Sequence, residues 1–245
     1  MIRLFIAPSP DFAAGDTFPL SPEQGRYLTS VMRLGVDDEV LLFNGRDGEW
    51  TARIHEVGKK AVRLQLLTRT RPQTVTQPLI LAIALIKRAR LETVVEKATE
   101  LGVSAIQPVI TRRSNADHTN IDRLRLIAQE AAQQTERLDV PEVLPVVKLD
   151  KWLGGDAFTG LIFPDEETTH EAGAATMLDG LKAAAPGARP AILIGPEGGF
   201  DETERDVLRG RPEVIRVNLG PRILRADTAA ISALTLYQAA LGDWR

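Results

Sequence analysis

The stretch that decides the fold is AILIGPEGGF, residues 191–200, in which a short apolar run passes directly into a glycine-rich turn. An apolar run of this kind is typical of a strand buried in a parallel sheet. In open parallel sheets, ligands bind outside the carboxyl ends of the strands, and glycine there lets a ligand approach the backbone closely. The alternative is a tight turn that needs glycine only for its backbone angles. One proline and two adjacent glycines favour a ligand site.

The same turn argues against two common ligand classes. It lacks the Gly-Lys-Ser/Thr ending of a phosphate-binding loop, and it lacks the GxGxxG order of a dinucleotide site. Triphosphate chemistry and NAD chemistry are therefore disfavoured.

A second glycine-bearing strand end follows in VNLGPRILRADTAA, residues 217–230. The strand is predicted to end at Gly220, and a helix begins near Asp227 and Thr228. Taken singly, Asp227 could simply complement the helix dipole, Thr228 could pack in the helix, and Arg225 could be a surface arginine. Their grouping beside the second strand end favours a functional loop.

Outward from these two loops, strands and helices alternate from residue 79 onward. Such alternation predicts an α/β domain with a mainly parallel sheet. The predicted strands are 79–86, 106–110, 159–163, 191–194 and 214–218, and the predicted helices are 90–101, 121–138, 174–185, 202–209 and 226–241.

The first seventy residues have a different pattern, with short apolar stretches at 3–7, 39–43, 50–57 and 61–67 separated by turn residues. Ser21 and Pro22 predict the start of one helix that ends before Gly35. A small β-barrel with one helix is the natural closure for such strands. A polar, proline-bracketed segment at 71–78 reads as a linker. We therefore predict two domains, 1–72 and 73–245.

Composition excludes several kinds of protein. The 245 residues contain no cysteine, which excludes disulfides, thiolate zinc sites and cysteine nucleophiles and suits a cytoplasmic enzyme. His55, His118 and His170 are far apart and lack metal-ligand spacing, so we expect no metal site. No apolar run approaches the roughly 20 residues of a membrane helix, and the N-terminus lacks a signal-peptide core. We expect a cytoplasmic protein.

The formal net charge of −3 argues against a general nucleic-acid binder. Contact with RNA must therefore come from local basic clusters, for each of which a solvated surface is the alternative. These clusters are Arg69 with Arg71, Lys87 with Arg88 and Arg90, and Arg112 with Arg113.

The two C-terminal loops together resemble the signature of the RsmE family, the uridine-N3 methyltransferases of small-subunit ribosomal RNA in the SPOUT class. The resemblance covers nearly the whole chain, and the two loops in series are highly specific. Two departures matter, since the family usually has Glu at the position of Asp227 and His near the position of Tyr27. The segments that carry the resemblance are 195–200, 219–229, 97–103, 113–114, 129–137 with Pro141, and 27–33.

The resemblance implies a trefoil-knotted α/β SPOUT domain at 73–245, a PUA-like β-barrel at 1–72, and a homodimer. It implies that S-adenosylmethionine (SAM) binds in a bent shape on the knot loops and that 16S ribosomal RNA, within the small subunit, is the substrate. Knots are rare in proteins, and nothing in the sequence pattern itself indicates one.

Residue roles follow from the resemblance together with the needs of methyl transfer to nitrogen, which are positioning, removal of the N3 proton and stabilisation of charge on the base. Arg225 is expected to face the uracil oxygens, and Glu197 and Asp227 are the candidate proton acceptors, although either could be purely structural. The expected SAM-binding residues are Leu193, Gly195, Gly198, Leu219, Gly220, Ile223, Leu224 and Thr228. The expected RNA-binding residues are Arg33, Arg88, Arg112, Arg113 and Arg137.

Two rival functions remain open at this point. The first is a SPOUT enzyme that methylates tRNA ribose, but such enzymes typically carry a Ser-Leu-Asn third motif, which residues 224–229 do not match. The second is a non-enzymatic RNA-binding scaffold, which SAM binding would exclude.

Overall fold

The computed structural model describes residues 1–7, 11–59, 61–171, 173–183 and 187–244. By their contacts, these residues divide into two compact units. The first contains residues 1–75 and 132–140, and the second contains residues 76–131 and 141–245. The predicted boundary between residues 72 and 73 stays a prediction. Among the described residues, no helix has the length and apolar character that crossing a bilayer requires.

The first unit is built mainly of strands. Among its described residues, five strands form one sheet in the order β1-β3-β4-β5-β2, with β1 parallel to β3 and the other pairs antiparallel. Every strand contributes to one core, which includes Leu4, Phe18, Val40, Ala52 and Leu64. The elements are β1 (Arg3–Phe5), β2 (Thr17–Pro19), α1 (Pro22–Arg26), a π-helical turn (Tyr27–Val31), β3 (Glu39–Phe43), β4 (Glu49–Val57) and β5 (Val62–Arg71).

The helix predicted in this unit begins where the sequence indicates and then departs from the α form. Ser21 caps α1 in a reciprocal capping box with Gln24, and Pro22 occupies the first turn. After Arg26 the chain continues as the π-helical turn, in which the Met32 N–H donates to the Tyr27 carbonyl at 2.9 Å. The prediction of a single α-helix reaching Leu34 is therefore wrong.

A buried arginine holds the two sequence segments of the first unit together. Arg3 Nε lies 2.8 Å from Glu49 Oε2, and the guanidinium stacks 4.7 Å from the centre of the Phe43 ring. Its Nη atoms donate to the carbonyls of Ala132 and Arg137, at 3.2 and 2.9 Å. A cation suits the Ala132 carbonyl because it lies in the last turn of α3, and the C-terminal end of a helix carries partial negative charge.

The second unit is the predicted α/β domain. In its described part, the strands run parallel in the order β12-β10-β11-β6-β7-β8, and β9 also pairs with β7. The elements are β6 (Ile80–Ala84), α2 (Arg88–Glu100), β7 (Ala105–Ile110), α3 (Ile121–Gln134), β8 (Glu142–Val143), β9 (Val147–Lys148), α4 (Leu149–Leu153), β10 (Gly160–Pro164), a 3₁₀ turn (Glu166–His170), α5 (Met177–Ala183), β11 (Pro190–Ile194), α6 (Glu202–Arg209), β12 (Val214–Val217) and α7 (Ala226–Ala240).

The elements that differ from the sequence prediction are mostly short. β8, β9 and α4 were not predicted, and α3 ends at Gln134 rather than at Leu138. Two residues after α3 ends, Glu136 adopts a left-handed backbone with φ of 60°. The predicted helix over 174–185 is confirmed only from Met177 to Ala183, and its last two predicted residues lie outside the described residues. The knotted path stays a prediction.

We expect Arg3→Ala to lower the free energy of unfolding by about 3 kcal/mol, because it leaves the buried Glu49 without its closest cation and several carbonyls without a donor. Urea unfolding followed by tryptophan fluorescence measures the loss. Arg125→Ala is the control, since it removes an exposed ion pair with Asp122 and should change stability by less than about 1 kcal/mol. Equal stability of the two variants would contradict the structural role of Arg3.

Candidate functional site

The candidate site lies where three neighbouring strands of the second unit end. β12, β10 and β11 are adjacent and parallel, so the loops that follow them meet at one edge of the sheet. Between these loops lies a cleft with about 590 Å³ of empty space, including space open to solvent. Its lining residues are Pro164, Asp165, Glu166, Thr169, Ile194, Gly195, Pro196, Gly199, Phe200, Arg205, Leu219, Arg222, Ile223, Leu224, Ala226 and Ala229.

Part of the cleft wall is an ion cluster around a buried arginine. Arg205 Nη1 lies 2.9 Å from Asp165 Oδ1, and both side chains are almost fully buried, at 5% and 1% exposed. Arg205 Nη2 lies 2.7 Å from Glu166 Oε1, and Arg205 Nε donates to the Phe200 carbonyl at 3.1 Å. The second Asp165 oxygen accepts from Arg216 Nε at 2.7 Å. The cluster therefore links the loops after β10 and β11 to strand β12.

Two glycines of the loop after β11 occupy positions that exclude a side chain. A Cβ on Gly195 would lie 2.7 Å from the Phe200 ring. Gly199 has a φ of 66°, and a Cβ there would overlap the Glu166 carboxylate and lie 3.0 Å from Arg205 Nη2. Glycine at both positions therefore lets the loop after β11 pack closely against Phe200, Glu166 and Arg205.

The predicted SAM-binding residues fall into two groups. Gly195, Leu219, Ile223 and Leu224 line the cleft. The other four do not line it and are placed close by. Leu193 is fully buried in β11, Gly198 carries the carbonyl that accepts from Arg113, Gly220 has a φ of 104° and donates to Asn218, and Thr228 is exposed in the first turn of α7.

The three predicted catalytic residues have different surroundings. Arg225 is exposed at the N-cap of α7, and its side chain makes no ion pair or hydrogen bond with the rest of the described chain. Asp227 pairs with Arg90, Nη1 to Oδ2, at 2.9 Å. Glu197 is exposed and accepts a hydrogen bond from the Asn115 side chain. Arg225 and Asp227 are thus close in sequence but do not pair with each other in this structure.

Two of the predicted RNA-binding arginines lie directly beside the loop after β11. Arg113 Nη1 donates to the Gly198 carbonyl at 3.0 Å, and Arg112 Nη1 lies 3.4 Å from Asp201 Oδ1. A hydrogen bond from Thr203, assisted by the charges of Arg112 and Arg113, holds the pKa of the Asp201 carboxyl below its ordinary value. The segment after β7 is thereby fastened to the edge of the site.

The remaining three predicted RNA-binding arginines are spread over the chain. Arg88 is exposed in the first turn of α2 and pairs with Glu92 at 2.8 Å. Arg33 is exposed in the first unit, where its φ is 59°. Arg137, also in the first unit, is only 10% exposed at its side chain and pairs with Asp139 at 3.0 Å. The contacts of Arg137 favour a structural role within that unit.

The cleft also contains residues that the sequence analysis missed. Asp165 and Glu166 directly follow β10, which the sequence predicts as a strand. The carboxyl end of this third parallel strand therefore indicated that they could lie at the site. Phe200 lies in the stretch 191–200 that predicts the site, although no role was predicted for it. Arg205 had no comparable signal, because a basic residue within an exposed-type helix usually lies in solvent. Within the described part of the chain, no group of three or more His, Asp or Glu side chains is arranged to hold a metal ion.

Comparison with known proteins places this architecture in a family. The family model described as an RNA methyltransferase domain matches residues 73–238, and that described as an RNA methyltransferase PUA domain matches residues 20–67. The chain is 34% identical over 208 residues to the ribosomal RNA small subunit methyltransferase E of Rickettsia conorii, covering 85% of this chain and 83% of the relative. It is 28% identical to the protein of the same name from Bacillus subtilis, over 89% and 88% of the two chains.

Two solved structures resemble the whole chain. One is the ribosomal RNA small subunit methyltransferase E of Neisseria gonorrhoeae bound to S-adenosylmethionine, with a TM-score of 0.84, 27% identity and full coverage of both chains. The other is a methyltransferase from Legionella pneumophila with bound SAM, with a TM-score of 0.82 and 31% identity, covering 98% of this chain and 96% of that one.

These matches confirm the resemblance inferred from the two C-terminal loops, and they confirm a PUA domain followed by a methyltransferase domain with a parallel sheet. The residue assignments are not tested by them and stay predictions. The extent of the family match and the identity to its members lead to one conclusion: the chain belongs to the ribosomal RNA small subunit methyltransferase E family.

Proposed function

We propose that this protein transfers a methyl group from SAM to N3 of a uridine in 16S ribosomal RNA, in the cytoplasm and within the small ribosomal subunit. The observation that carries the proposal is the cleft at the three strand ends, in a chain of this family. Beside the cleft lies Arg225, whose side chain has no polar partner among the described residues. Relatives of the chain are named as small-subunit ribosomal RNA methyltransferases, and two similar structures hold SAM.

The residues of the cleft fit SAM. Gly195 and Gly199 bring their backbone to the wall of the cleft, while Leu219, Ile223 and Leu224 offer apolar surface. The Glu166 carboxylate is 40% exposed at its side chain and suits a hydroxyl or ammonium donor. When bound, SAM supplies an electrophilic methyl group on a sulfonium. Leu193, Gly198, Gly220 and Thr228 would shape the loops that hold it.

The residues of the chain would meet the two other needs of the reaction. Arg225 presents a planar fork of donors that stays charged at any working pH, which suits paired carbonyl oxygens as negative charge builds up on the base. Glu197 is the better placed proton acceptor because it is exposed and its only partner in the described chain is an amide. Asp227, the other candidate, already pairs with Arg90.

The RNA would lie over the exposed arginines. Arg112 and Arg113 are next to the cleft loop and would contact phosphates near the target, with Arg88 on the same unit and Arg33 on the first unit. Phosphate contacts of this kind position RNA without reading its sequence. The target uridine would be flipped out of its stack to reach the cleft.

We also propose that the enzyme is a homodimer that uses no metal. The family resemblance supports the dimer, whereas the alanines of α7 give little support, because Ala230 and Ala233 are buried within the unit itself. Light scattering on an active preparation should give twice the monomer mass. Activity should persist in EDTA, and a clear loss would reopen the question of a metal.

Mass-spectrometric mapping of 16S ribosomal RNA from cells with and without the gene tests the function. We expect one N3-methyluridine to disappear on deletion and to return with the restored gene. A lost ribose methylation in tRNA would instead favour the first rival enzyme. Absence of SAM binding in calorimetry would favour the RNA-binding scaffold.

We expect Gly199→Ala to weaken SAM binding at least about tenfold, because its left-handed backbone and the adjacent Glu166 leave no room for a Cβ. Calorimetric titration with SAM measures the effect. Gly15→Ala is the control for backbone strain, since Gly15 is also left-handed but no described atom lies within 4 Å of such a Cβ. Gly198→Ala tests the sequence-based assignment of Gly198 separately. Unchanged SAM affinity in folded Gly199→Ala would remove this wall from the binding site.

We expect Arg225→Ala to lower single-turnover methylation by about 10²–10³-fold, as is typical when one donor to a developing charge is removed. SAM affinity should change little, since the side chain would act on the base. Arg225→Lys should recover only part of the rate, because an ammonium lacks the fork geometry. A parallel loss of SAM affinity and melting temperature would point to a structural arginine, and a near-normal rate would exclude both roles.

A further inference from the structure

An ion pair between residues 137 positions apart joins the first turns of two helices. Arg90 Nη1 of α2 lies 2.9 Å from Asp227 Oδ2 of α7, with side chains 28% and 25% exposed. The two helices pack against each other, and further along them Gln238 Nε2 donates to the Leu101 carbonyl at 2.7 Å. The first turn of α7 is thus tied to a helix on a different part of the sheet.

The stability of α2 does not explain why a cation occupies position 90. The helix begins with Lys87 as its N-cap, makes no side-chain capping hydrogen bond and has no acidic residue in its first turn. A positive charge at a helix N-terminus opposes the helix dipole and typically costs about 0.3–1 kcal/mol. Arg90 therefore stabilises the start of α7 through its ion pair with Asp227 and does not stabilise α2 itself.

Both oxygens of the Asp227 carboxylate are engaged. Oδ2 accepts from Arg90, and Oδ1 accepts from the Thr228 N–H at 3.0 Å. Since these two hydrogen bonds occupy both oxygens and hold the carboxylate against α2 and α7, Asp227 is poorly placed to take the N3 proton. The contacts of Asp227 hold the first turn of α7 against α2, so that Asp227 acts as an anchor for the start of α7.

Arg225 depends on that anchor for its direction. It is the N-cap residue of α7, two positions before Asp227, with an extended backbone and no side-chain hydrogen bond to a described residue. At the other end of the loop, Gly220 donates to the Asn218 side chain at 3.1 Å. Between these points, residues 221–225 make no side-chain hydrogen bond or ion pair within the described chain. The polar side-chain contacts that this loop makes with the described residues therefore lie at its two ends.

We propose that Arg90 and Asp227 are positioning residues for the methyl transfer, which fix the first turn of α7 and thereby aim Arg225 at the base. The proposal rests on the proposed function. In this proposal Asp227 holds the start of α7 and does not accept the proton, so Glu197 is the remaining candidate acceptor. Arg90 joins the residues that the reaction needs. Methyl transfer is sensitive to such aim, because a displacement of about 1 Å in a positioned group can cost up to 10²-fold in rate.

The experiment compares Arg90→Ala and Asp227→Asn with Asp227→Glu, which keeps the charge and lengthens the side chain by one methylene. The control is Arg211→Ala. It breaks an ion pair with Glu213 of nearly equal exposure, 29% and 27%, near the amino end of β12 rather than beside the cleft. Rates are measured in single turnover at saturating SAM, so that altered SAM affinity does not enter. Hydrogen exchange of residues 221–226 reports on the loop independently of activity.

We expect Arg90→Ala and Asp227→Asn to lower the rate about 10- to 100-fold and to speed exchange in residues 221–226. Asp227→Glu should recover most of the rate, and Arg211→Ala should leave both the rate and the loop exchange unchanged. In an Arg225→Ala background, Arg90→Ala should lower the rate by less than about twofold, because the interaction acts through Arg225. A purely structural pair would lower the rate equally in both backgrounds, which would overturn the proposal.

The outcomes also separate this inference from the proposed function. Suppose that the wild-type protein methylates 16S ribosomal RNA and that Arg90→Ala changes neither the rate nor the hydrogen exchange of residues 221–226. This result would overturn the positioning role of Arg90 and Asp227 and leave the proposed function standing. Suppose instead that the wild-type protein methylates no ribosomal RNA and that residues 221–226 exchange faster in Arg90→Ala. This result would overturn the proposed function, while the ion pair would still be shown to hold the loop.

Discussion

The geometry of the cleft depends on the burial of the Arg205 guanidinium against Asp165. A buried charge of either sign is costly without its partner, and removing one member of such a pair typically costs about 3–5 kcal/mol. Here the pair fastens α6 to the end of β10, while the Phe200 carbonyl and Arg216 extend it to the neighbouring loop and strand. The loops after β10 and β11 and strand β12 therefore share one electrostatic centre, and the glycines of the loop after β11 fit around it. The result is a preorganised wall of the cleft.

Much of the architecture could be predicted because it is local. The Ser21 capping box, the helix Glu202–Arg209 and the apolar strand before Gly195 each depend on residues within a few positions of one another. Strand and helix alternation then required a parallel sheet, and the carboxyl ends of its strands indicated where the site would be. Four of the eight residues expected to hold the cofactor do line the cleft. Even so, the roles of these residues remain predictions until binding and rates are measured.

What the sequence could not provide are interactions between distant residues. No periodicity connects Arg205 with Asp165, 40 positions earlier, or Arg90 with Asp227. The end of α3 was misplaced because Glu136, in a helix-forming sequence, adopts a left-handed backbone within the first unit. Likewise, the π-helical turn at Tyr27–Val31 has no composition that distinguishes it from an α-helix. Such features depend on tertiary context, which overrides local preference.

Because the first unit is built from two separate segments of the chain, it cannot complete its folding early during synthesis on the ribosome. Arg3, near the start of the chain, donates to carbonyls at 132–137, and Phe43 packs with Ala132 and Leu138. When residue 75 leaves the exit tunnel, the segment that completes this unit has not yet been synthesised. Since translation adds about 5–20 residues per second, several seconds pass before the segment 132–140 can join the nascent sheet. During that interval a basic side chain and an apolar surface remain uncovered, so this N-terminal portion reaches its native state only after part of the following domain has emerged.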